Sequence, residues 1–172
     1  MATFTHKKIW LVSGLLALAA AAAYGQVQSN AYRLMLRKLL SHTVPEMQVQ
    51  QLAADTSGAL LLDAREPKEF AVSHLVNALH VGYDNFKLSA VPDSIAKDRP
   101  IVVYCSVGYR SEKVAEQLRA AGYTQVSNLY GGIFEWVNQG HPVVDAQDAL
   151  TQRVHAYSRT WGVWLKKGKK VY

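Results

Sequence analysis

Ile101-Val102-Val103-Tyr104-Cys105-Ser106-Val107-Gly108-Tyr109-Arg110-Ser111 is the stretch that decides how this chain is read. Four apolar residues run into the only cysteine of the sequence, a short loop with a glycine follows, and Arg110 leads into the helical pattern of Ser111 to Arg119. An uninterrupted apolar run of this length fits a strand buried on both faces. A strand, a tight loop and a helix start converge several backbone N–H groups on one point, with the positive end of the helix dipole behind them. A thiol in such a place loses its proton more readily, and the thiolate is the reactive form. The expectation is an anion-binding cup with Cys105 as a group-carrying nucleophile at its base.

Outward from this stretch, strand and helix signals alternate. Ala59-Leu60-Leu61-Leu62 is a short apolar run ahead of Asp63-Ala64-Arg65, and Ala78 to Val81 and Val126 to Leu129 are further strand candidates. Glu66-Pro67 opens a helix through Phe70, proline being acceptable in a first turn. Val114, Ala115, Leu118 and Ala121 share one face of the helix after the cysteine, which Gly122 stops. Gly131-Gly132 introduces another helix, through Ile133, Trp136 and Val137 to Gly140, and Pro45 starts a helical pattern with Met47, Val49, Leu52 and Ala53 that ends near Gly58. The alternation predicts an α/β sandwich with a mainly parallel central sheet flanked by helices. In such sheets the site forms at the carboxyl ends of the strands, where Cys105 falls.

The 172 residues, 49% of them apolar, fit one domain with extensions, and a single cysteine excludes an intramolecular disulfide. The net charge of +6 is unevenly spread. Glu46 to Asp148 holds all thirteen acidic residues against eight Lys and Arg, while the two flanks carry eleven basic residues and no acidic one. A nucleic-acid reader concentrates its basic residues on the folded domain, so nucleic acid is excluded as partner in favour of a membrane surface or another anionic partner.

Four regions follow. In residues 1–25, Lys7 and Lys8 precede a charge-free run from Ile9 to Ala23, fifteen residues against the ~20 of a spanning helix. Ala21-Ala22-Ala23 suits cleavage before Tyr24, so a cleaved signal peptide and an uncleaved membrane anchor both stand. Either places the domain outside the cytoplasm, in an extracytoplasmic (periplasmic) setting, and no cysteine is present there for a lipoprotein anchor. Residues 26–44 read as a basic amphipathic helical linker, from Asn30 to Ser41, packed on the domain or lying on a membrane surface. Residues 45–144 form the domain. In the extension 145–172, Lys167-Gly168 is expected to turn a hairpin between Trp164-Leu165-Lys166 and Lys170-Val171-Tyr172. Its Trp and Lys residues either pack on the domain with a solvated rim or meet a membrane interface or a partner.

From about Pro45 to Val144 the chain resembles the single-domain rhodanese-like sulfurtransferases. The resemblance is carried by Leu62-Asp63-Ala64-Arg65-Glu66-Pro67-Lys68-Glu69-Phe70, by Ser73-His74-Leu75-Val76-Asn77-Ala78, by Val102 to Ser111, and by Leu129-Tyr130-Gly131-Gly132-Ile133-Phe134-Glu135-Trp136, in family order and spacing. It implies the rhodanese-like fold and a persulfide on Cys105, passed from a small sulfur donor such as thiosulfate to an external thiol or thiol-bearing protein. Ser106, Val107, Gly108, Tyr109 and Arg110 would bind the substrate, Gly108 allowing the tight turn and Arg110 offering a permanent charge to an oxyanion. Ser111 would cap the helix or donate into the loop, and Asp63 and Arg65 would hold the neighbouring loop by buried hydrogen bonds. His74 reads as a packing histidine, and Ser73 stands where the family commonly has glycine. The six histidines are scattered and none pairs with Cys105 at ligand spacing, so neither a metal nor a cofactor is expected.

Two alternatives share the fold. Cell-cycle phosphatases of this superfamily have one more residue between cysteine and arginine; the four residues here make a smaller cup, better sized for sulfur than for phosphate or arsenate chemistry. A catalytically idle binding module is the other, against which the cysteine itself speaks.

Overall fold

Strand β4, Ile101–Tyr104, lies in the middle of a five-stranded sheet and ends at Cys105. The computed structural model describes Val27, residues 29–56 and residues 58–172. The expected signal or anchor of residues 1–25 lies outside the described residues, among which no helix is long and apolar enough to cross a membrane. The elements in chain order are α1 (Asn30–Leu39), β1 (Glu46–Met47), α2 (Val49–Ala54), β2 (Leu60–Asp63), α3 (Pro67–Val72), β3 (Leu79–His80), β4, α4 (Tyr109–Ala120), β5 (Val126–Leu129) and α5 (Gly132–Asn138). After them come the short strands β6 (Val143–Val144), β7 (Leu150–Thr151), β8 (Arg153–His155) and β9 (Lys169–Val171).

The sheet order is β1-β5-β4-β2-β3 with every pair parallel, so the fold is α/β with a parallel central sheet flanked by helices. Because both faces are covered, β4 is apolar throughout and its residues divide between two cores. Val102 and Tyr104 face the core built with α1, α2 and α5, while Ile101, Val103 and Cys105 face the one under Val114, Ala115 and Leu118 of α4.

Glu46–Met47, expected inside a helix, instead adds a strand to the sheet edge. The Pro45 carbonyl accepts the Asn128 N–H at 2.8 Å and the Met47 carbonyl accepts that of Tyr130 at 2.9 Å. Pairing along β5 extends the chain there, and the helix begins only at Val49.

Residues 30–39 take the first of their two expected placements, packed on the domain, and help to build its core. Ser29 caps α1 by accepting the Tyr32 N–H, and Arg37 and Lys38 sit in its last turn, where the dipole favours cations. Tyr32, Leu36 and Leu40 are buried, and the Tyr32 hydroxyl donates to the Gly131 carbonyl at 2.8 Å. The carboxylate of Glu112, buried in α4, then accepts the backbone N–H groups of Ser41 and Thr43, fastening the connection from α1 to β1.

The C-terminal hairpin is not formed. Asn138 of α5 donates to the Trp164 carbonyl and accepts the Lys166 N–H at 2.6 Å, so this segment is bound to the domain instead of to Lys170–Tyr172. Trp161–Trp164 forms a 3₁₀ turn, Trp164 stacks on Tyr32 at 5.3 Å, and β9 pairs in parallel with β8. Val154, Ala156 and Leu165 are buried in the same core as α1.

Leu36 is fully buried, so Leu36→Ala should lower the unfolding free energy by about 2–5 kcal/mol in a denaturant titration of the whole chain. A loss under about 0.5 kcal/mol, the range of surface substitutions, would show that α1 is peripheral.

Candidate active site

The loop from Cys105 to Gly108 reverses the chain between β4 and α4. Gly108 has φ +124°, a conformation that side-chain-bearing residues rarely adopt, and it caps α4. Its N–H donates to Cys105 Sγ at 3.1 Å. Its carbonyl accepts the N–H of Glu112 at 3.0 Å and the side-chain amide of Asn128 at 3.0 Å. The Ser111 hydroxyl shares its single proton between that carbonyl, at 3.1 Å, and Asn128 Oδ1, at 2.7 Å. Ser111 therefore braces the loop from behind and does not line the cup.

The carbonyls of Cys105 and Ser106 turn the other way, accepting the N–H groups of Ile133 at 2.9 Å and Phe134 at 3.2 Å in the first turn of α5. This contact explains Gly132: its φ is +58°, and a Cβ there would stand 2.3 Å from the Cys105 carbonyl oxygen.

Arg110 is not a free cation. Its Nη1 donates to Glu69 Oε2 at 2.7 Å and its Nη2 to Glu69 Oε1 at 2.9 Å, with a further bond to Ser106 Oγ at 3.0 Å. The Ser106 hydroxyl donates to Glu69 Oε1 at 3.1 Å, and the Tyr157 ring covers the guanidinium at 5.1 Å. Burial alone would raise the pKa of Glu69, but the hydrogen bonds and charge of Arg110 outweigh it and hold the carboxyl below its ordinary 4.5. Burial would likewise discharge Arg110, yet its bonds to Glu69 and its contact with Cys105 keep it firmly protonated. Arg110 therefore serves two partners: it bonds Glu69 and Ser106, and its guanidinium also lies against the Cys105 side chain.

Cys105, Ser106, Val107, Tyr109 and Arg110 line one cavity of about 220 Å³. Asp63 and Arg65 lie apart from it. Both are fully buried, Arg65 Nη2 reaching Asp63 Oδ2 at 2.6 Å and the Ser73 carbonyl at 2.6 Å, which ties β2 to the end of α3. His74 stacks on Phe70 at 3.8 Å with its Nδ1 at the Phe70 carbonyl, a packing role. Among the described residues no three His, Cys, Asp or Glu side chains converge as metal ligands would.

Sequence reasoning missed Glu69, Asn128, Leu39, Tyr157 and Trp161. Asn128 did leave a signal, since a polar residue in a strand covered on both faces needs a buried partner. Glu69 left a weaker one, as the residue before Phe70 in a short helix, and the other three line the cavity from far off in sequence.

The family model of the Rhodanese-like domain matches residues 47–139. A sulfurtransferase of Allochromatium vinosum is 38% identical over 98 residues, covering 56% of this chain and 88% of that protein. A tRNA uridine(34) hydroxylase of Escherichia coli is 35% identical over 98 residues, 52% of this chain but 28% of that enzyme. The solution structure of a Rhodanese-like domain from Anabaena aligns with a TM-score of 0.51 at 25% identity, covering 56% of this chain and 73% of that one.

Glu69→Gln removes the nearer of two carboxylates facing Arg110, Glu66 remaining at 4.0 Å, and should destabilise the fold by about 3 kcal/mol at neutral pH, the lower end for a broken buried pair. The depressed Glu69 carboxyl also fixes a pH window. Its stabilisation is complete above 4.5 and is lost as pH falls from there through the depressed value. Denaturant titrations from pH 7 down into the acid range should therefore show a loss of stability that is blunted in Glu69→Gln; equal slopes in both proteins would contradict the pairing.

Proposed function

Because this chain belongs to the rhodanese-like domain family, we propose that it is a sulfurtransferase that carries sulfane sulfur on Cys105. The single observation behind the proposal is the placement of the only cysteine at the start of the loop between β4 and α4, with the Gly108 N–H on its sulfur and a cavity lined by it. In the first half-reaction the Cys105 thiolate attacks the outer sulfur of a donor. A bond forms between Sγ and that sulfur, the donor's S–S bond breaks, and its electron pair leaves with the departing sulfite, sulfinate or thiolate. In the second, an acceptor thiolate attacks the outer sulfur of the Cys105 persulfide and the Cys105 thiolate leaves. No external oxidant, reductant or general base is required, and the acceptor comes from outside because the chain has no second thiol.

The loop suits an anionic persulfide, since N–H groups fixed in advance need no reorganisation when charge moves to the outer sulfur. Phosphoryl transfer is less well supported. Glu69 and Ser106 take three of the five N–H groups of Arg110, leaving few donors for three phosphate oxygens. The relative named for tRNA uridine hydroxylation shares this domain across 28% of its length, so the chemistry is argued from the site and not from the fold.

The proposal also puts the domain outside the cytoplasm, supported by Lys7 and Lys8 ahead of the charge-free run Ile9 to Ala23.

Incubation with a sulfane donor should add about 32 Da, one sulfur, reversibly by thiol reductant. Cys105→Ser should abolish both the gain and sulfur delivery to a thiol while unfolding at the same denaturant midpoint; sulfur transfer by that variant, or brisk aryl-phosphate hydrolysis by the wild type, would refute the assignment. Cell fractionation with sequencing of the mature N-terminus tests location: recovery outside the cytoplasm or in the membrane is expected, and a soluble cytoplasmic chain beginning at Met1 would contradict it.

A further inference from the structure

Two segments outside residues 47–139 meet above Cys105. Leu39, at the end of α1, approaches from one side; Tyr157 and Trp161, after β8, approach from the other. With Val107 and Tyr109 of the loop they wall the cavity of about 220 Å³ into which the cysteine opens. Of its lining side chains, Ser106 and Arg110 bond Glu69, and Arg110 also lies against Cys105, while Leu39, Val107 and the rings of Tyr109, Tyr157 and Trp161 make the rest of the wall mostly apolar.

Tyr157 is held in place against a conformational penalty. Its φ is +63°, a left-handed value that is uncommon for a bulky residue and persists where the surroundings over-determine it. Here the Tyr157 N–H donates to His155 Nδ1 at 3.1 Å, and the Ala156 N–H donates to the Val171 carbonyl of β9 at 2.8 Å. The result is a half-exposed ring fixed over the guanidinium of Arg110 at the rim of the cavity. The backbone N–H of Trp161 bonds Ser158 Oγ at 3.3 Å, and Trp161 lines the same cavity.

We infer that this mouth selects the group attached to the reacting sulfur, taking donors that bear one small apolar ring or chain, such as organic thiosulfonates and persulfides, in preference to inorganic thiosulfate. The inference rests on Cys105 being the sulfur carrier. An inorganic dianion would shed water against apolar walls whose one lining cation is already neutralised by Glu69, an unfavourable exchange. An aromatic ring gains from the same walls, and the size fits: roughly 150 Å³ of apolar cavity is enough to hold benzene. Drug-sized ligands need about 300–1,000 Å³, which points to one ring and not an extended chain.

The test compares benzenethiosulfonate with methanethiosulfonate, anions of equal charge that differ in the apolar group. With either, the Cys105 thiolate takes the terminal sulfur, the donor's S–S bond breaks, and the sulfinate leaves with the electron pair. Rates of Cys105 persulfidation in the full chain are divided by those of a small free thiol with the same donors, which removes intrinsic reactivity. The normalised preference for the aryl donor should be at least about tenfold, the scale on which an apolar pocket discriminates. Thiosulfate should be slower than both. In Trp161→Ser and Tyr157→Ser the preference should shrink several-fold, and in Trp161→Phe it should survive.

A normalised ratio near one, or thiosulfate as the fastest donor, overturns the inference while leaving sulfur transfer intact. An unchanged ratio in both serine variants overturns the assignment of the wall. Absence of any sulfur gain with all three donors removes the sulfurtransferase reading and this inference with it. The wild-type ratio is decisive even if a serine variant does not fold.

Discussion

Everything at this site depends on where two carbonyl groups go. The loop after β4 can turn N–H groups toward the Cys105 sulfur only if the carbonyls it turns away find donors, because an unpaired buried carbonyl is strongly unfavourable. The first turn of α5 supplies them through Ile133 and Phe134. That contact brings α5 so close that residue 132 has no room for a side chain. The Gly108 carbonyl finds its donors in α4 and β5, through Glu112 and Asn128. One four-residue loop thus locks β4, β5, α4 and α5 together, and the catalytic geometry is a consequence of satisfying the backbone.

The second determinant is charge, and it acts by cancellation. Arg110 enters the site on the first turn of α4, Glu69 on α3, and their two-pronged pair is largely buried. The pair fixes α3 against the loop and orients the Ser106 hydroxyl, which bonds both partners. It also removes the local excess of positive charge that the loop alone would have. At the sulfur itself, the Gly108 N–H and the Arg110 guanidinium both meet Cys105, at the N-terminal end of α4. Anionic character is therefore accommodated on the sulfur, whereas the outer cavity favours apolar groups.

Much of this was legible in the chain because the signals were local. Ile101 to Tyr104 is apolar at every position since both sheet faces are covered, and Val114, Ala115 and Leu118 recur at helical spacing since α4 buries one face. The Cys105 loop could be read from its own residues. What could not be read was set by long-range pairing. Glu46–Met47 has no strand signal of its own and is extended by the β5 backbone. In the C-terminal segment Lys167-Gly168 is a turn signal for a hairpin, but Asn138, 26 residues before Trp164 in its bond, holds the segment to the domain and β9 pairs with β8. Arg110 is legible as a charged residue after Cys105, but its bonding to Glu69, 41 residues away, cannot be inferred from spacing.

The extensions have one further consequence, since the residues that wall the cavity belong to the elements that complete the core. Leu39 lies one turn beyond Leu36, which is fully buried, so the mouth is carried by a helix the fold cannot release cheaply. Trp161 shares a 3₁₀ turn with Trp164, whose ring stacks on Tyr32 of that same helix. Tyr157 follows directly on Val154 to Ala156, all buried. Each wall residue is thus within a few positions of a buried anchor, and a side chain so anchored loses little further freedom when a substrate arrives. The walls of the mouth over Cys105 are held by the same apolar contacts that fasten α1 and the C-terminal segment to the domain.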